Sequence, residues 1–515
     1  MELSDLQDIR RQKADTLRDR GLNPYSPRSK RTHTTAEAIA RFEEIESAAG
    51  DQPTEDQEPI TVAGRVVSFR DMGKTLFSHI RDGHGDLQLY VRLNDVGEQA
   101  HADFSTLVDL GDFVEATGTL FRTRTGEISL RVQTFSLLTK ALNAPPEKRK
   151  GLRDREIRYR QRYADLIANA DVRETFRFRS ALVASIREFL NNEDFIEVET
   201  PILQPLYGGA AARPLTTHYN ALGNEFYLRI ADELYLKRLI VGGYERVYEI
   251  SKDFRNEGMD RTHSPEFTML EWYEAYSDYL IVLERLERLF QHVAKTVLGG
   301  KTFVNDGHEI DLSTPWPRLT LREAIRQFSG VDYVEHPDQA SLLAAARAAG
   351  ADIEDGTVWP RIVDELHKQF VRPSLIQPTV LMDYPVELSP LAKRKPDDPT
   401  HAERFQLIMA ATEITNAFTE LNDPLDQLKR FLEQQRDREA GDLDAMPIDE
   451  DYVNALMYGM PPTGGIGIGI DRLVMTLTDQ PNIRDVILFP AMRPVGSQIP
   501  DEDLDADDED ADGEE

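Results

Sequence analysis

From residue 60 onward, apolar and polar positions alternate in five short runs, "ITVAGRVVSF", "KTLFSHIRD", "GDLQLYVRL", "DFVEATGTLFRT" and "GEISLRVQTFSLL", separated by glycine-containing turns. A period of two marks strands with one buried face. Five such strands within about eighty residues predict a small closed barrel of the OB type, assigned to residues 58–142. Upstream, residues 1–50 read as a helical extension with charged faces, broken at "GLNPYSPR", and the polar "ESAAGDQPTEDQEP" leads into the barrel. Pro145, Pro146 and the basic "EKRKGLRDREIRYRQR" make a linker over 143–160 that suits an anionic partner.

Past the linker the period lengthens. Leu182, Ile186, Phe189 and Leu190 recur at helical spacing. A strand, "FIEVETPIL", follows, and Pro201 belongs at an edge or bulge because proline cannot donate to a ladder. Strands and helices then alternate to about residue 295. Residues 300–375, with "SLLAAARAAGADIEDG", read as a helical insertion. "PTVLMDYPVELSPLAK", "HAERFQLIMAATEITNAFTELNDP" and "PPTGGIGIGIDRLVMTLT" complete a second domain over 161–496, and no internal repeat is visible.

The bulk composition limits the function classes. A chain of 515 residues that is 40% apolar has enough for more than one core. No run approaches eighteen consecutive apolar residues and the first twenty residues are charged, so neither a membrane span nor a signal peptide is expected, and the protein reads as cytoplasmic. With no cysteine, disulfides and thiolate metal sites are excluded. The formal charge of −31 argues, alone, against a nucleic-acid partner. Part of it sits in the terminal "PDEDLDADDEDADGEE", so 497–515 is expected to be a disordered acidic tail. The remaining body is still acidic, and Arg outnumbers Lys. Hypothesis: this surface suits a salt-rich cytoplasm, where screening weakens self-repulsion. Activity that peaks in dilute buffer and collapses in molar KCl would count against it.

Three segments carry candidate chemistry. In "DFRNEGMDRTHSPEFTMLEW", over Asp253–Trp272, Arg255 and Glu257 alternate on an expected strand and face one way. Arginine's planar fork clamps phosphate, and a glutamate can accept from an exocyclic amine. His263 and Phe267 follow across a loop, the ring placed to stack on a base. In "GGIGIGIDRL", Gly465, Gly467 and Gly469 strip one strand face of side chains, permitting close approach, before Asp471 and Arg472 open a helix. This is neither a GxxxxGK phosphate loop nor a dinucleotide fingerprint. In "ATEITNAFTELNDP", Glu413 and Glu420 lie seven apart with Asn416 and Asn422, an oxygen-rich set suited to magnesium shared with phosphates. Each alone is more simply a surface pair, a tight strand or two solvent-facing acids.

Together, in this order, they resemble the class II aminoacyl-tRNA synthetases. The resemblance runs nearly full length, from "RRQKADTLRDRGLNPY" through "VGGYERVYEISKDFRNEG" to "IRDVILFPAMRP", and is closest to the lysine-specific bacterial and eukaryotic type. It implies an α+β chain, with an N-terminal OB barrel that binds the anticodon and a C-terminal antiparallel sheet flanked by helices that holds ATP. The segment ending at Pro201 matches the family's first motif, which implies a homodimer. By the same resemblance Arg255 holds the α-phosphate and Glu257 and Phe267 the adenine. His263 and Arg472 hold the terminal phosphates, Arg255 and Arg472 are the catalytic groups, and Glu413 and Glu420 hold several Mg2+ ions. Glu233 and Glu271 are expected to meet the substrate's side chain. Buried carboxylates are costly unless paired, so a pocket that has them and no cation of its own selects a ligand that brings one. Gly209, Tyr273 and Asn422 complete the implied lysine site. In the barrel, Phe77 is implied to stack on a base and Arg70, Gln88 and Glu127 to read base edges. The implied partners are tRNA(Lys), ATP and lysine, and no membrane.

The sequence departs from the family pattern at "IMAAT" before Glu413 and at "DRTH", which separates Arg261 from His263. The rivals are an aspartyl- or asparaginyl-specific relative, against which Glu233 and Glu271 argue, a lysine-modifying paralogue, against which the barrel argues, and a non-catalytic RNA-binding protein.

Overall fold

The computed structural model describes residues 3–50, 55–146, 152–439 and 446–495. The expected tail at 497–515 and the middle of the linker lie outside the described residues. The chain divides into two compact units, Met1–Arg153 and Asp154–Glu515. No helix among the described residues is long and apolar enough to cross a membrane.

In the first unit, helices α1 (Asp5–Asp19) and α2 (Thr35–Ala49) each begin at a capping box, Ser4 with Gln7 and Thr34 with Glu37. The five expected strands are β1 (Ile60–Asp71), β2 (Thr75–Arg81), β3 (Asp86–Arg92), β4 (Phe113–Arg122) and β5 (Ile128–Thr139). They close into a barrel in the order β1-β2-β3-β5-β4. Two helices that the alternation did not reveal, α3 (Leu93–Val96) and α4 (Glu98–Leu107), connect β3 to β4. The residues 1–50 are not a detached extension. Ala38 and Phe42 of α2 are fully buried in one core with Phe104 of α4 and Val62, Leu89 and Val132 of the barrel.

The second unit opens with α5 (Arg155–Arg160), α6 (Arg162–Ala168) and the long α7 (Ala170–Asn192). Then come β6 (Ile196–Glu197), β7 (Leu203–Gln204), β8 (Thr216–Tyr219), β9 (Asn224–Leu228) and α8 (Glu233–Val241). The expected strand "FIEVETPIL" is thus broken: Pro201 falls between β6, which edges the main sheet, and β7, which joins a small sheet with β9 and β8. The hairpin β10 (Arg246–Phe254) and β11 (Glu266–Ala275) leads to α9 (Tyr279–Val293). The insertion is only partly helical. It comprises the hairpin β12 (Thr302–Asn305) and β13 (His308–Asp311), then β14 (Arg318–Thr320), α10 (Leu321–Ser329), α11 (Gln339–Ala348) and α12 (Trp359–Leu366). The chain continues through β15 (Thr379–Pro385), β16 (His401–Met409), β17 (Thr412–Thr419), α13 (Pro424–Glu439), α14 (Glu450–Met457), β18 (Thr463–Gly469) and α15 (Ile470–Leu477).

Among the described residues the main sheet has eight strands in the order β14-β15-β16-β17-β18-β11-β10-β6. Its interior is antiparallel as expected, but the outermost pairs, β14 with β15 and β6 with β10, are parallel. Strand alternation gives the sheet two unlike faces. One face presents Leu270, Trp272, Phe405, Leu407, Ala417, Ile466 and Ile468, buried against residues of α7, α9 and α15 in the largest core of the unit. The other face carries polar side chains, and the insertion's own core, which includes Ile408 of β16, packs at its far end.

Candidate active site and nucleic-acid interface

The polar face is assembled by register. Glu249 pairs with Glu271, Glu271 with Gly467, Gly467 with Asn416 and Asn416 with Gln406, so one row crosses five strands. Tyr273, Gly465, Phe418 and Arg404 form the next row. The alternate glycines of β18 therefore lie in the middle of this face. Above it is a cavity of about 520 Å3 lined, among others, by Gly209, Glu233, Arg255, Glu257, His263, Phe267, Glu271, Tyr273, Glu413 and Arg472. Ten of the twelve residues expected at the ATP, amino-acid and metal sites are thus brought together.

At the open end, β10 stops at Phe254, so Arg255 and Glu257 lie on the segment after it rather than on the strand as expected. Arg255 N–H still donates to Pro265 O at 3.0 Å, holding the segment against β11. Its guanidinium carbon sits 5.0 Å from the Phe267 ring centroid, a cation–π spacing. Arg472 Nη2 lies 3.0 Å from His263 Nε2, and His263 Nδ1 lies 2.7 Å from Asp260 Oδ2. A guanidinium only donates, so Nε2 is the acceptor and the proton is on Nδ1, facing Asp260. Asp471 fixes the start of α15, accepting from Thr268 N–H at 2.6 Å and pairing with Arg179 at 2.6 Å.

The closed end is acidic. Glu233 and Glu271 are buried, and Tyr273 Oη donates to Glu271 Oε2 at 2.9 Å. Burial first, then the nearby Asp253 and Glu233 carboxylates, pushes Glu271 well above the usual range. One expectation needs correcting here, because cations do stand beside these acids: Arg404 lines the cavity and acts on Glu233, and Lys237 is buried behind them. Lys237, one helical turn beyond Glu233 on α8 and fully buried, pairs with both Glu233 and Glu420. Burial alone would depress its pKa, yet those two carboxylates hold the ammonium well above the usual lysine value. Glu271 stands outside that pairing and is hydrogen-bonded to Tyr273 instead.

Two expected members are placed elsewhere. Glu420 does not line the cavity; it is buried against Lys237 and the α-carbon side of Gly465. Asn422 is engaged outside the cavity, accepting from Lys393 Nζ at 2.8 Å and donating to Met460 O at 3.1 Å. Seven residues apart on a regular strand, Glu413 and Glu420 would face opposite ways. A bulge at Ile414, where the register jumps from Leu407–Thr415 to Ile408–Glu413, returns both to the polar face. Asn416 is likewise occupied, with Oδ1 accepting from Arg404 Nε at 2.9 Å. Among the described residues no cluster of three His, Asp or Glu side chains is arranged to hold a metal ion. Glu413 fits a magnesium held mainly by substrate phosphates, since such ions take one or two carboxylates plus phosphate oxygens. Glu420 does not fit as a second ligand while Lys237 occupies it.

Sequence reasoning missed several lining residues. The insertion contributes Asp364 and Lys368, and β16 contributes Arg404 and Gln406. Lys237 was legible as the i+4 partner of Glu233; the insertion's pair had no local signal.

In the barrel unit, Phe77 pairs in register with Arg70 on one side and Tyr90 on the other. The rings of Phe77, Tyr90 and Phe121 form a row, with centroids 5.2 and 5.3 Å apart, and Arg131 lies 5.0 Å above Phe121. Beside this row Gln88 Nε2 donates to Glu127 Oε2 at 2.6 Å, and His79 Nε2 lies 2.7 Å from Glu127 Oε1. The four expected base-contacting residues thus share one face, and the structure adds Tyr90, Phe121, Arg131 and His79 to it. A surface of half-buried rings flanked by guanidinium and amide groups is suited to single-stranded bases.

Residues 154–493 match the family model for tRNA synthetases class II (D, K and N), and residues 60–138 match that for an OB-fold nucleic acid binding domain. The chain is 53% identical over 495 residues to the lysine–tRNA ligase of Roseiflexus sp. (strain RS-1), covering 96% of this chain and 100% of that protein. The chain belongs to the class II lysine–tRNA ligases. It is also 51% identical over 494 residues to that of Chloroflexus aurantiacus, covering 96% of this chain and 99% of the relative. With the Pelotomaculum thermopropionicum enzyme it shares 50% over 495 residues, 96% of each. The family model spans aspartate, lysine and asparagine enzymes; the near-full-length relatives separate the lysine type from the two rivals.

Proposed function

We propose that this chain activates L-lysine with ATP and transfers it to the 3′ end of tRNA(Lys), and that the residues around the cavity divide the work as follows. The observation that carries the lysine assignment is the acidic closed end, where Glu233 and Glu271 line the cavity and Glu271, bonded to Tyr273, has no cation paired with it among the described residues. A ligand ammonium supplies one, and a neutral isostere leaves a buried acid unpaired. Sites of that kind reject the wrong ligand by about 10⁴-fold or more without editing.

Lysine lies with its ammonium toward Glu271 and Tyr273 and its carboxylate toward Arg255. Adenine is held by Phe267 and by Glu257, which accepts from the exocyclic amine, and Arg255 holds the α-phosphate. A carboxylate oxygen of lysine attacks the α-phosphorus, the bond to the β-phosphate oxygen breaks, and pyrophosphate leaves along Arg472. A terminal ribose hydroxyl of tRNA then attacks the activated carbonyl, its proton passes to the departing phosphate, and AMP leaves. Fixed cations at the places where charge moves, and a held in-line geometry, supply the acceleration without a protein nucleophile. A magnesium ion at Glu413 would neutralise triphosphate charge. The barrel's aromatic face takes the anticodon bases.

The chain works as a cytoplasmic homodimer. Support for a second copy comes from Ile196, Ile202, Leu203, Tyr219 and Leu222, large apolar residues left exposed on and around β6 to β9. Sedimentation at micromolar protein tests this, and a monomer would overturn it. For the activity, the test is charging of tRNA(Lys) with lysine, aspartate and asparagine in parallel. Charging with lysine alone is expected; charging with aspartate or asparagine would sink the assignment.

A further inference from the structure

Behind Glu271 lies a second group of acids that the proposed reaction does not use. Asp232, just before α8, and Asp253, on β10, are both at 0% exposure. Among the described residues, neither oxygen of Asp232 and not Oδ2 of Asp253 has a hydrogen-bond donor. Asp253 Oδ1 accepts from Ser251 Oγ at 3.2 Å. Arg229 is the buried cation beside them. Its Nη1 lies 3.0 Å from Asp232 Oδ1 and 2.7 Å from Glu249 Oε1, and its Nε lies 3.3 Å from Asp253 Oδ1. The surrounding elements add further charge: α8 presents Glu233 and Lys237, β10 presents Glu249 and, just past its end, Arg255, and β11 presents Glu271 beside Tyr273.

The Asp232 and Asp253 carboxyls thus flank one and the same guanidinium, at 3.0 and 3.3 Å. Two carboxylates only accept, so one can bond the other only with a proton between them. Burial first, then Asp253, Glu271 and Glu249, raises Asp232 well above the ordinary range, and burial also raises Asp253 against the pull of Arg229 and Arg255. Asp232 and Asp253 each interact electrostatically with Glu271, so the pair adjoins the group assigned to the substrate's ammonium.

We propose that Asp232 and Asp253 share a proton while the pocket is empty and release it to solvent when the substrate's ammonium settles on Glu271, so that amino-acid binding is proton-coupled. A cation arriving beside clustered acids favours their ionised forms, and linkage then makes lysine bind more tightly as pH rises through the range where the free enzyme still holds the proton. Asp232 and Asp253 are positioning residues that act through Glu271. This inference rests on the placement of the lysine ammonium given above.

The test is calorimetric titration of the full chain with lysine, without ATP, in phosphate and in Tris at neutral pH. The dependence of the heat on buffer ionisation enthalpy counts protons. The wild type is expected to release close to one proton, with affinity changing by up to about tenfold per pH unit. Asp232→Asn and Asp253→Asn should still bind lysine, with release near zero and a flattened pH profile. No release by the wild type, or undiminished release by the variants, overturns the proposal. Should neither variant fold, difference infrared spectra of the wild type decide: loss of a protonated-carboxyl band on adding lysine supports the shared proton, and its persistence overturns it. Glu271→Gln separates the two layers of inference. Weakened lysine binding there, with unchanged release in the aspartate variants, sinks only the proton pair; unchanged binding removes the ammonium from Glu271 and sinks both.

Discussion

Gly465 and Gly467 sit two residues apart on β18 and both face the cavity side, yet a methyl group should act differently at each. A Cβ at Gly465 would fall 2.6 Å from Tyr273 Cδ1 and closer still to Tyr273 Cε1 and Glu420 Oε1. The tyrosine ring is rigid and its hydroxyl bonds Glu271, while Glu420 is locked on Lys237. Neither yields cheaply, and overpacking of this kind costs about 1–3 kcal/mol. At Gly467 the nearest atoms are Met269 Sδ at 3.6 Å and Glu271 Cγ at 3.9 Å, ordinary contact. Gly467→Ala should therefore fold with unchanged stability, because its methyl meets only ordinary contacts at the cavity. Gly465→Ala should lower the unfolding midpoint and displace Tyr273, raising the lysine KM by roughly 5- to 150-fold if the same 1–3 kcal/mol is lost from the pocket. Urea unfolding with lysine-dependent ATP–pyrophosphate exchange reads both effects. Wild-type stability and lysine KM in Gly465→Ala would refute the packing account of this strand, and so would a Gly467→Ala as unstable as Gly465→Ala.

Three further outcomes are expected. Ala410 and Ala411 form the two-residue turn between Met409 and Thr412 with φ of 49° and 56°, a left-handed conformation that favours glycine; Ala411→Gly should stabilise the protein by about 0.5–1 kcal/mol in urea unfolding, and a loss of stability would contradict the strain. Asp232, Asp253 and Glu271 all have raised pKa values in the folded state, so folding takes up protons and the stability these groups contribute is present at acid pH and lost as pH rises from about 4. Asp232→Asn should thus match the wild type near pH 4 and exceed it by about 1–3 kcal/mol at pH 8, with equal pH slopes as the contrary result. Phe77→Ala should raise the KM for tRNA by roughly 5- to 150-fold, from about 1–3 kcal/mol of base stacking, and leave tRNA-independent pyrophosphate exchange unchanged; a matching loss in exchange would place the ring's role elsewhere.

The barrel was legible because its strands are half-buried and write their burial as simple alternation, as in Thr75–Arg81, where every second residue is buried. Helices α3 and α4 were not, being short and set between strands. Nor could periodicity say which core Phe42 joins, since an apolar stripe does not name its partner. Arg255, Phe267 and the β18 glycines were legible as motifs. The relation of Glu413 to Glu420 was not, because it depends on one bulged residue, Ile414, whose placement is a property of the paired strands. Lys237 and Asp232 flank the glutamate that drew attention, and their importance depends on acids contributed from more than one other strand. Burial and charge crowding of that kind exist only once the sheet has formed.

The central claim is that an excess of buried carboxylates selects a cationic amino acid. It is tested most directly by ATP–pyrophosphate exchange with lysine, norleucine, arginine, aspartate and asparagine, using the wild type and Glu271→Gln. Exchange supported by lysine alone in the wild type, with norleucine disfavoured by about 10⁴-fold and the gap narrowed in Glu271→Gln, is the predicted result. Exchange with norleucine, aspartate or asparagine at a comparable rate, or a Glu271→Gln enzyme with wild-type lysine preference, would contradict it.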